Sequence, residues 1–470
     1  MEFLSKPMFR WQYMVSWIKK YNNEKVIQCR MSKEKKTKIK KEKKKMSHRP
    51  LRWDKLDNTA LIFPVIAGEG ATNVYRISVS LNEEIQPEFL QEALDIVLPK
   101  FNGFNMRLRA GVFWYYFEEN GKPAPRVHQE NKFPCRYIRA NKNNRYMFRV
   151  TYYKCRINLE VFHVLADGMG GMNFIRELTY QYLRLVHPQL REQTTDNLSD
   201  STSLNREDSF VKNYKRSKPI GFKKEKAYLI KLEKLAAGEF GVMHGLINIP
   251  QIKQVARSKY DASINEYLVA LFAWTTYVQC LNKMPSKKPI RVAVPVNLRP
   301  YFNSVTTKNF FVPVSAEFHP TREEYTFEEV VEITKESLRK QIQKDHLEDL
   351  FSYSVSNQKN NFLRIVPLPF KNIVMRYVYN RSALANTTTI TNVGQVEVDP
   401  LYEPYISMFR SFIPMSKGQS IKGTINSYKD TLVFTFSSTF ADTTIQRGYF
   451  RKMAEDGINV RIETNGVYDE

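Results

Sequence analysis

A chain of 470 residues with 42% apolar and 13% aromatic content is long enough for two or three domains with substantial cores, which excludes a disordered tail or a single small module. Its longest apolar stretch, around 269–280, is interrupted by Thr and Gln, so no segment reaches the roughly 18 uncharged apolar residues of a membrane-spanning helix. The formal net charge of +24 is compatible with nucleic acid, an anionic membrane or a phosphate-bearing substrate as partner, and its distribution decides among them.

Between Met1 and His48, 15 Lys/Arg stand against 4 Asp/Glu, a surplus of +11 that leaves +13 for the remainder. Lys33–Lys45 (KEKKTKIKKEKKK) is a solvated charge run that buries no core. Residues 1–48 are therefore expected to be a dispensable, disordered basic extension that touches anionic surfaces at most; the competing reading is a basic arm for nucleic acid or membrane with Phe9, Trp11, Tyr13 and Trp17 as an interfacial segment. No specific nucleic-acid binding is expected. Met31 and Met46 offer alternative physiological starts, and the secretory h-region and cleavage site are missing. Cys29, Cys135, Cys155 and Cys280 are scattered, with no zinc-ligand spacing. Free thiols in a reducing cytoplasm and no metal site are the expectation.

The folded part is expected to begin near Trp53-Asp54-Lys55-Leu56-Asp57. Val74–Leu81 alternates as a strand, and residues 86–101 read as an amphipathic helix with Pro87 in its first turn. Residues 106–109 and 112–117 read as a hairpin around Ala110-Gly111, followed by strands at 145–153 and 156–162. A helical period through Phe174, Leu178, Tyr182 and Leu185 completes a first half, 49–187. Periodicity fades over 188–240, a length more natural for a domain connector than for a loop inside one domain.

The second half, 241–470, repeats the mixture. It opens with a strand at 242–249 and a short helix at 250–258. A capping box at Ser263 and Glu266 starts the next helix, 267–281. A strand at 290–296 runs into Asn297-Leu298-Arg299-Pro300. Helices follow at 326–345 and up to about Tyr379, then strands at 387–393, 406–412, 421–428 and 431–438 and a final helix at 443–455. Two α/β halves flank one connector.

The stretch INLEVFHVLADGMGGMNF, 157–174, gives this pattern a chemical centre. An alternating strand ends at His163, and Asp167-Gly168-Met169-Gly170-Gly171 opens the helix. A histidine closing an apolar strand is ordinarily a satisfied core or surface residue, but His-x-x-x-Asp-Gly at a strand-to-helix corner places an imidazole where one ring nitrogen is free to face a cleft. That suits a general base near neutral pH.

His163-Val-Leu-Ala-Asp167-Gly168 resembles the HxxxDG motif of the CoA-dependent acyltransferases of the chloramphenicol acetyltransferase superfamily. Bacterial proteins with an alcohol acetyltransferase-type domain are the nearest likeness. WDKLDNTALIFP, VPVNLRPYF with KNFF following, and TNVGQV extend the resemblance from Trp53 to the C-terminus. It implies a two-lobed α/β fold, each lobe a mixed sheet with helices, and a channel between lobes. It also implies His163 as general base, with Asp167, Gly168 and Arg299 supporting the site and Arg299 holding Asp167 across the lobes. Asn392 is a channel or oxyanion candidate, with a turn-forming role as the alternative, and Ser437, Ser438 and Thr439 are unranked.

The implied activity moves an acyl group, acetyl among the candidates, from acyl-CoA as co-substrate to an alcohol or amine acceptor. No acyl-enzyme forms and no cofactor stays bound. The alternative is a non-catalytic or carrier-protein-dependent condensation-type relative that binds a thioester ligand. Phe162 stands where peptide-synthetase condensation domains have a second histidine, and no DFGWG of the plant-type enzymes occurs.

Overall fold

The computed structural model describes residues 52–194, 205–216 and 225–468; the expected extension 1–48 lies outside them. The first half runs β1 (Trp53–Lys55), α1 (Phe63–Ile66), β2 (Val74–Leu81), α2 (Pro87–Val97), β3 (Met106–Ala110), β4 (Tyr115–Glu119), β5 (His128–Gln129), β6 (Phe148–Tyr153), β7 (Arg156–Phe162) and α3 (Gly168–Val186). Alternation in β2 and β7 sorts their side chains. Tyr75, Ile77, Val79, Leu159 and Val161 join the first core, which also takes in residues of α2 and α3, while Arg76, Ser78, Asn158 and Glu160 are buried on the other face, paired among themselves.

The second half runs β8 (Gly241–Asn248), α4 (Ile249–Tyr260), α5 (Ile264–Leu281), β9 (Ile290–Asn297), β10 (Phe311–Phe318), α6 (Phe327–Gln341), α7 (Lys344–Lys359), α8 (Asn361–Ile365), α9 (Leu368–Ser382), β11 (Thr388–Gln395), β12 (Ile406–Phe412), β13 (Ile421–Tyr428), β14 (Thr431–Ser438), α10 (Thr444–Glu455) and β15 (Val460–Thr464). The capping box at Ser263 and Glu266 forms, and Thr326 with Glu329 makes a second one at the start of α6.

The architecture is α/β with two lobes, each built on a mixed sheet. One sheet has the order β12-β2-β7-β6-β5, the other β10-β9-β11-β13-β14-β8-β15, and β1-β4-β3 form a small third sheet. Ile421, Ile425, Phe434 and Phe436 face the second core with residues of α5 and α10. The opposite face of β13 is polar and turns toward the first lobe. There the Asn426 amide donates to Phe409 O at 2.9 Å, and Ser411 donates to Asn426 Oδ1 at 2.9 Å.

Among the differences from the sequence reading, four bear on the architecture. Strand β10 is unforeseen; it contains Pro313, and as a sheet edge it tolerates the missing N–H. The helix expected over 326–345 ends at Gln341, and α7 starts at Lys344. Strand β15 (VRIET) alternates over only two apolar residues, Val460 and Ile462, the second of them exposed, too short a signal to announce a strand. Strand β12 leaves the 241–470 stretch to pair with β2 of the first lobe, Phe409 opposite Val79; its burial in the first core draws it there.

The described part of the connector is firmly attached rather than loose. Asn205 O accepts from Thr307 N at 2.9 Å, Arg206 donates to Asp54 at 2.9 Å, and Phe210 is buried against Phe310 and Phe351. Removing a fully buried ring from such a cluster costs on the order of 3–5 kcal/mol. Phe210→Ala is expected to lower unfolding stability by about that amount in chemical denaturation, whereas a free linker would tolerate the change without loss.

Candidate active site

His163 follows the last residue of β7, where its backbone N–H donates to Asn73 O at 2.9 Å. The ring is packed on three sides. Phe63 of α1 stacks on it at 4.6 Å between centroids, Tyr75 meets it edge-on at 5.2 Å, and Phe311 lies at 5.7 Å. His163 Nδ1 lies 3.0 Å from Asn309 Oδ1.

The orientation of Asn309 is fixed from behind. Its Nδ2 donates to Asp57 Oδ2 at 2.9 Å and its backbone N–H to the same oxygen at 3.3 Å, while Asp57 Oδ1 accepts from Ala60 N at 2.7 Å. With the amide nitrogen committed to Asp57, only the amide oxygen is left for the histidine, so Nδ1 is the protonated ring nitrogen. Nε2 then carries the lone pair and has no hydrogen-bond partner among the described residues. Burial lowers the His163 pKa below the ordinary 6.5, an effect that the nearby Asp167 charge opposes, so the ring is neutral at pH 7. Burial raises Asp57 to about 6; it is still predominantly ionised at pH 7, and acidification removes the acceptor that orients Asn309.

Asp167 is the N-cap of α3, its Oδ1 accepting from Gly170 N at 3.1 Å. The carboxylate also takes a two-pronged bond from Arg299, 2.8 Å to Oδ2 and 3.1 Å to Oδ1, and Oδ2 accepts from Phe310 N at 3.2 Å. Every N–H of the Arg299 guanidinium is used. Nε donates to Thr306 O at 2.9 Å, Nη2 to Lys308 O at 2.8 Å and Nη1 to Asn297 Oδ1 at 3.2 Å, besides the two bonds to Asp167. Arg299 and Asp167 together therefore shape the 306–310 loop that presents Asn309 to His163.

The glycines of the turn differ in what they do. A Cβ on Gly168 would meet Val393 at an ordinary 3.5 Å. One on Gly170 would fall 2.7 Å from Thr307 O, and one on Gly171 2.5 Å from the Tyr75 hydroxyl. Close approach is thus required at 170 and 171, not at 168.

Asn392 is not brought to His163. On β11 it shares a face with Ile390, which lies in the second core, while Thr391 and Val393 take the opposite face, where Val393 packs on Gly168. The exposed Asn392 side chain accepts from Gly394 N at 2.8 Å at a bulge in the strand, the turn-forming role. Ser437 Oγ donates to Ile413 O at 2.7 Å, Ser438 Oγ accepts from Phe440 N at 2.9 Å, and Thr439 Oγ1 lies 3.4 Å from Ser420 O.

Three residues that matter here were assigned no role by sequence reasoning. Asp57 and Asn309 lie in WDKLDN and KNFF, two stretches whose shared appearance is explained by contact: Lys308 donates to Asp54 at 2.8 Å next to the Asp57–Asn309 bonds. The third is Lys422 on the polar face of β13. It is buried, and no hydrogen bond or ion pair of its ammonium occurs among the described residues; the flanking Thr389 and Ser437 hydroxyls donate elsewhere. Burial lowers its pKa to about 7, and its charge further lowers that of His163. Lys422→Met is expected to raise the His163 pKa, since below pH 6.5 the lysine carries the opposing charge; a ring-proton NMR titration of His163 checks this.

A cleft of about 1110 Å³ lined by residues of both lobes, among them Arg76, Glu130, Cys135, Glu160, Phe240 and Met415, does not include His163.

Comparison with known proteins rests on the fold. No family model matches the sequence, and no curated protein matches it. Solved structures do. TRI101 of Fusarium sporotrichioides, complexed with coenzyme A and T-2, superposes with a TM-score of 0.58 at 13% identity, covering 87% of this chain and 99% of that one. The trichothecene 15-O-acetyltransferase TRI3 of the same organism gives 0.55 at 11% identity, over 86% and 94%. The first condensation domain of the calcium-dependent antibiotic synthetase gives 0.55 at 13% identity, over 87% and 99%.

Proposed function

We propose that this chain, which has the two-lobed fold of the chloramphenicol acetyltransferase-like acyltransferases and condensation domains, transfers an acyl group from acyl-CoA to a hydroxyl or amine acceptor. The observation that carries the reading is the Asp57–Asn309–His163 relay, which leaves Nε2 of a neutral imidazole as the free base in the core of the fold. An alcohol attacks a thioester poorly until its proton is being removed, and a positioned base contributes roughly a hundred- to ten-thousand-fold.

In the proposed reaction Nε2 takes the acceptor proton as the new O–C or N–C bond forms at the thioester carbon. The tetrahedral adduct then collapses with loss of the C–S bond, and the imidazolium returns the proton to the thiolate of CoA. No acyl-enzyme is needed. Lys422, in its protonated form a buried positive charge that reaches His163, favours negative charge on the adduct. Asp167, Arg299, Asn309 and Asp57 are positioning residues. CoA is a co-substrate here, as it is the molecule bound in the TRI101 complexes.

Condensation domains superpose with TM-scores of 0.53 and 0.55, close to those of the acetyltransferases, which supports a second reading with a carrier-bound thioester as donor. Phe162 in place of a second histidine weighs toward free acyl-CoA. Presenting the same acyl group on CoA and on a phosphopantetheinyl carrier separates the two.

The test is release of CoA with a panel of acyl-CoAs and a metabolite extract. His163→Ala is expected to abolish release with the fold intact. Asn309→Ala, which removes the acceptor from Nδ1, is expected to lower kcat by on the order of ten- to a hundredfold with little change in KM. A His163→Ala protein as active as the parent would refute the assignment.

The pH dependence has a definite sign. The base must be neutral and its pKa lies below 6.5, so kcat/KM is expected to fall on acidification below that point, with protonation of Asp57 near 6 steepening the acid limb. An acid limb centred above pH 6.5 would contradict this.

A further inference from the structure

Outside this site the surface carries an apolar face that the described protein leaves uncovered. On α9 the residues Phe370, Ile373, Val374, Tyr377 and Val378 recur at helical spacing, and all are exposed, Ile373 to 69%. The helix is amphipathic in the inverse sense, with Leu368 buried and Lys371 and Asn372 half-buried. The preceding α8 adds Phe362, Leu363 and Ile365, and the tip of the β3–β4 hairpin adds Val112, Phe113 and Trp114.

These pieces are fastened to one another. Leu368 N donates to Val112 O at 2.8 Å, and Lys371 Nζ donates to Phe113 O at 3.1 Å while lying 3.8 Å from the centre of the Trp114 ring. Single exposed apolar residues are ordinary; a contiguous set of this kind marks a surface that meets something apolar.

Charge selects the occupant. From residue 350 through 396 the sequence has five cations, Lys359, Arg364, Lys371, Arg376 and Arg381, and no Asp or Glu in 47 positions. An apolar stripe set among cations without a single anion matches the headgroup boundary of an anionic bilayer, where rings and aliphatic side chains enter the interface and Lys and Arg meet the phosphates. A second copy of the chain would instead set like charges against each other, on a molecule of net charge +24.

We propose that α8, α9 and the 112–114 tip form a face that docks on the surface of an anionic lipid bilayer. With 15 residues, α9 is shorter than the roughly 20 needed to span one, so it lies in the interface rather than across it. The face is also joined to the site: Arg376 donates to Val65 O at 2.7 and 3.2 Å, and Val65 belongs to α1, whose Phe63 stacks on His163.

Co-flotation of the full-length protein with vesicles tests this without reference to any activity. The vesicles are phosphatidylcholine alone or mixed with phosphatidylserine. The parent chain is expected to float with the mixed vesicles. Ile373→Glu/Val378→Glu and, separately, Arg364→Glu are expected to reduce the bound fraction by about tenfold, with melting temperatures unchanged because all three side chains are exposed. The lysine run at 33–45 is common to all three proteins, so the difference between them reports on this face alone. Equal flotation of parent and both variants would overturn the proposal. So would a concentration-dependent dimer in sedimentation that the same substitutions abolish, which would assign the face to a second copy.

Discussion

The ion pair between Asp167 and Arg299 is the constraint on which the rest of the site depends. It joins the first turn of α3 in one lobe to the segment after β9 in the other. Asp167 satisfies the helix N-terminus, and Arg299 spends two of its three remaining donors on backbone carbonyls of the 306–308 segment and the third on Asn297 Oδ1. A buried pair of this kind is weak evidence for stability, because desolvation offsets most of its attraction. Its value lies in geometry. Five donors in a rigid plane leave the loop one conformation in which all are satisfied, and in that conformation the amide of Asn309 faces His163.

A second layer of order comes from the meeting of two polar sheet faces. Arg76, Asn158 and Glu160 on β2 and β7, and Lys422, Thr424 and Asn426 on β13, are buried without being core. Glu160 is paired with Arg76 and Arg149, which keep its carboxyl below the usual range against the cost of burial. Lys422 has no such compensation. The contrast separates a structural network, closed on itself, from a charge left open toward the histidine.

Much of the fold was legible in the sequence because its signals are local. Strand alternation, the capping box at Ser263 and the glycine-rich turn after His163 are each decided within a few residues, and the helices and central strands follow. Arg299 was also legible, through its NLRP context. What failed were features decided by tertiary neighbours. Strand β10 carries a proline, Pro313, that its edge position accommodates. Asn392 shares the β11 face of Ile390 rather than that of Val393, which packs on Gly168, a difference of one residue in register. Asp57 and Asn309 are ordinary residues whose significance arises only when two stretches 252 positions apart come together.

That separation bears on how the protein acquires its site. The bonds that orient His163 close loops of 146 and 252 residues, and such non-local contacts form late because loop closure must precede them. A chain with one lobe folded holds the His163 corner but not the amide that selects its tautomer. Competence of the imidazole therefore arrives with the docking of the lobes, and on refolding it should lag behind helix and strand formation as the last property to be gained.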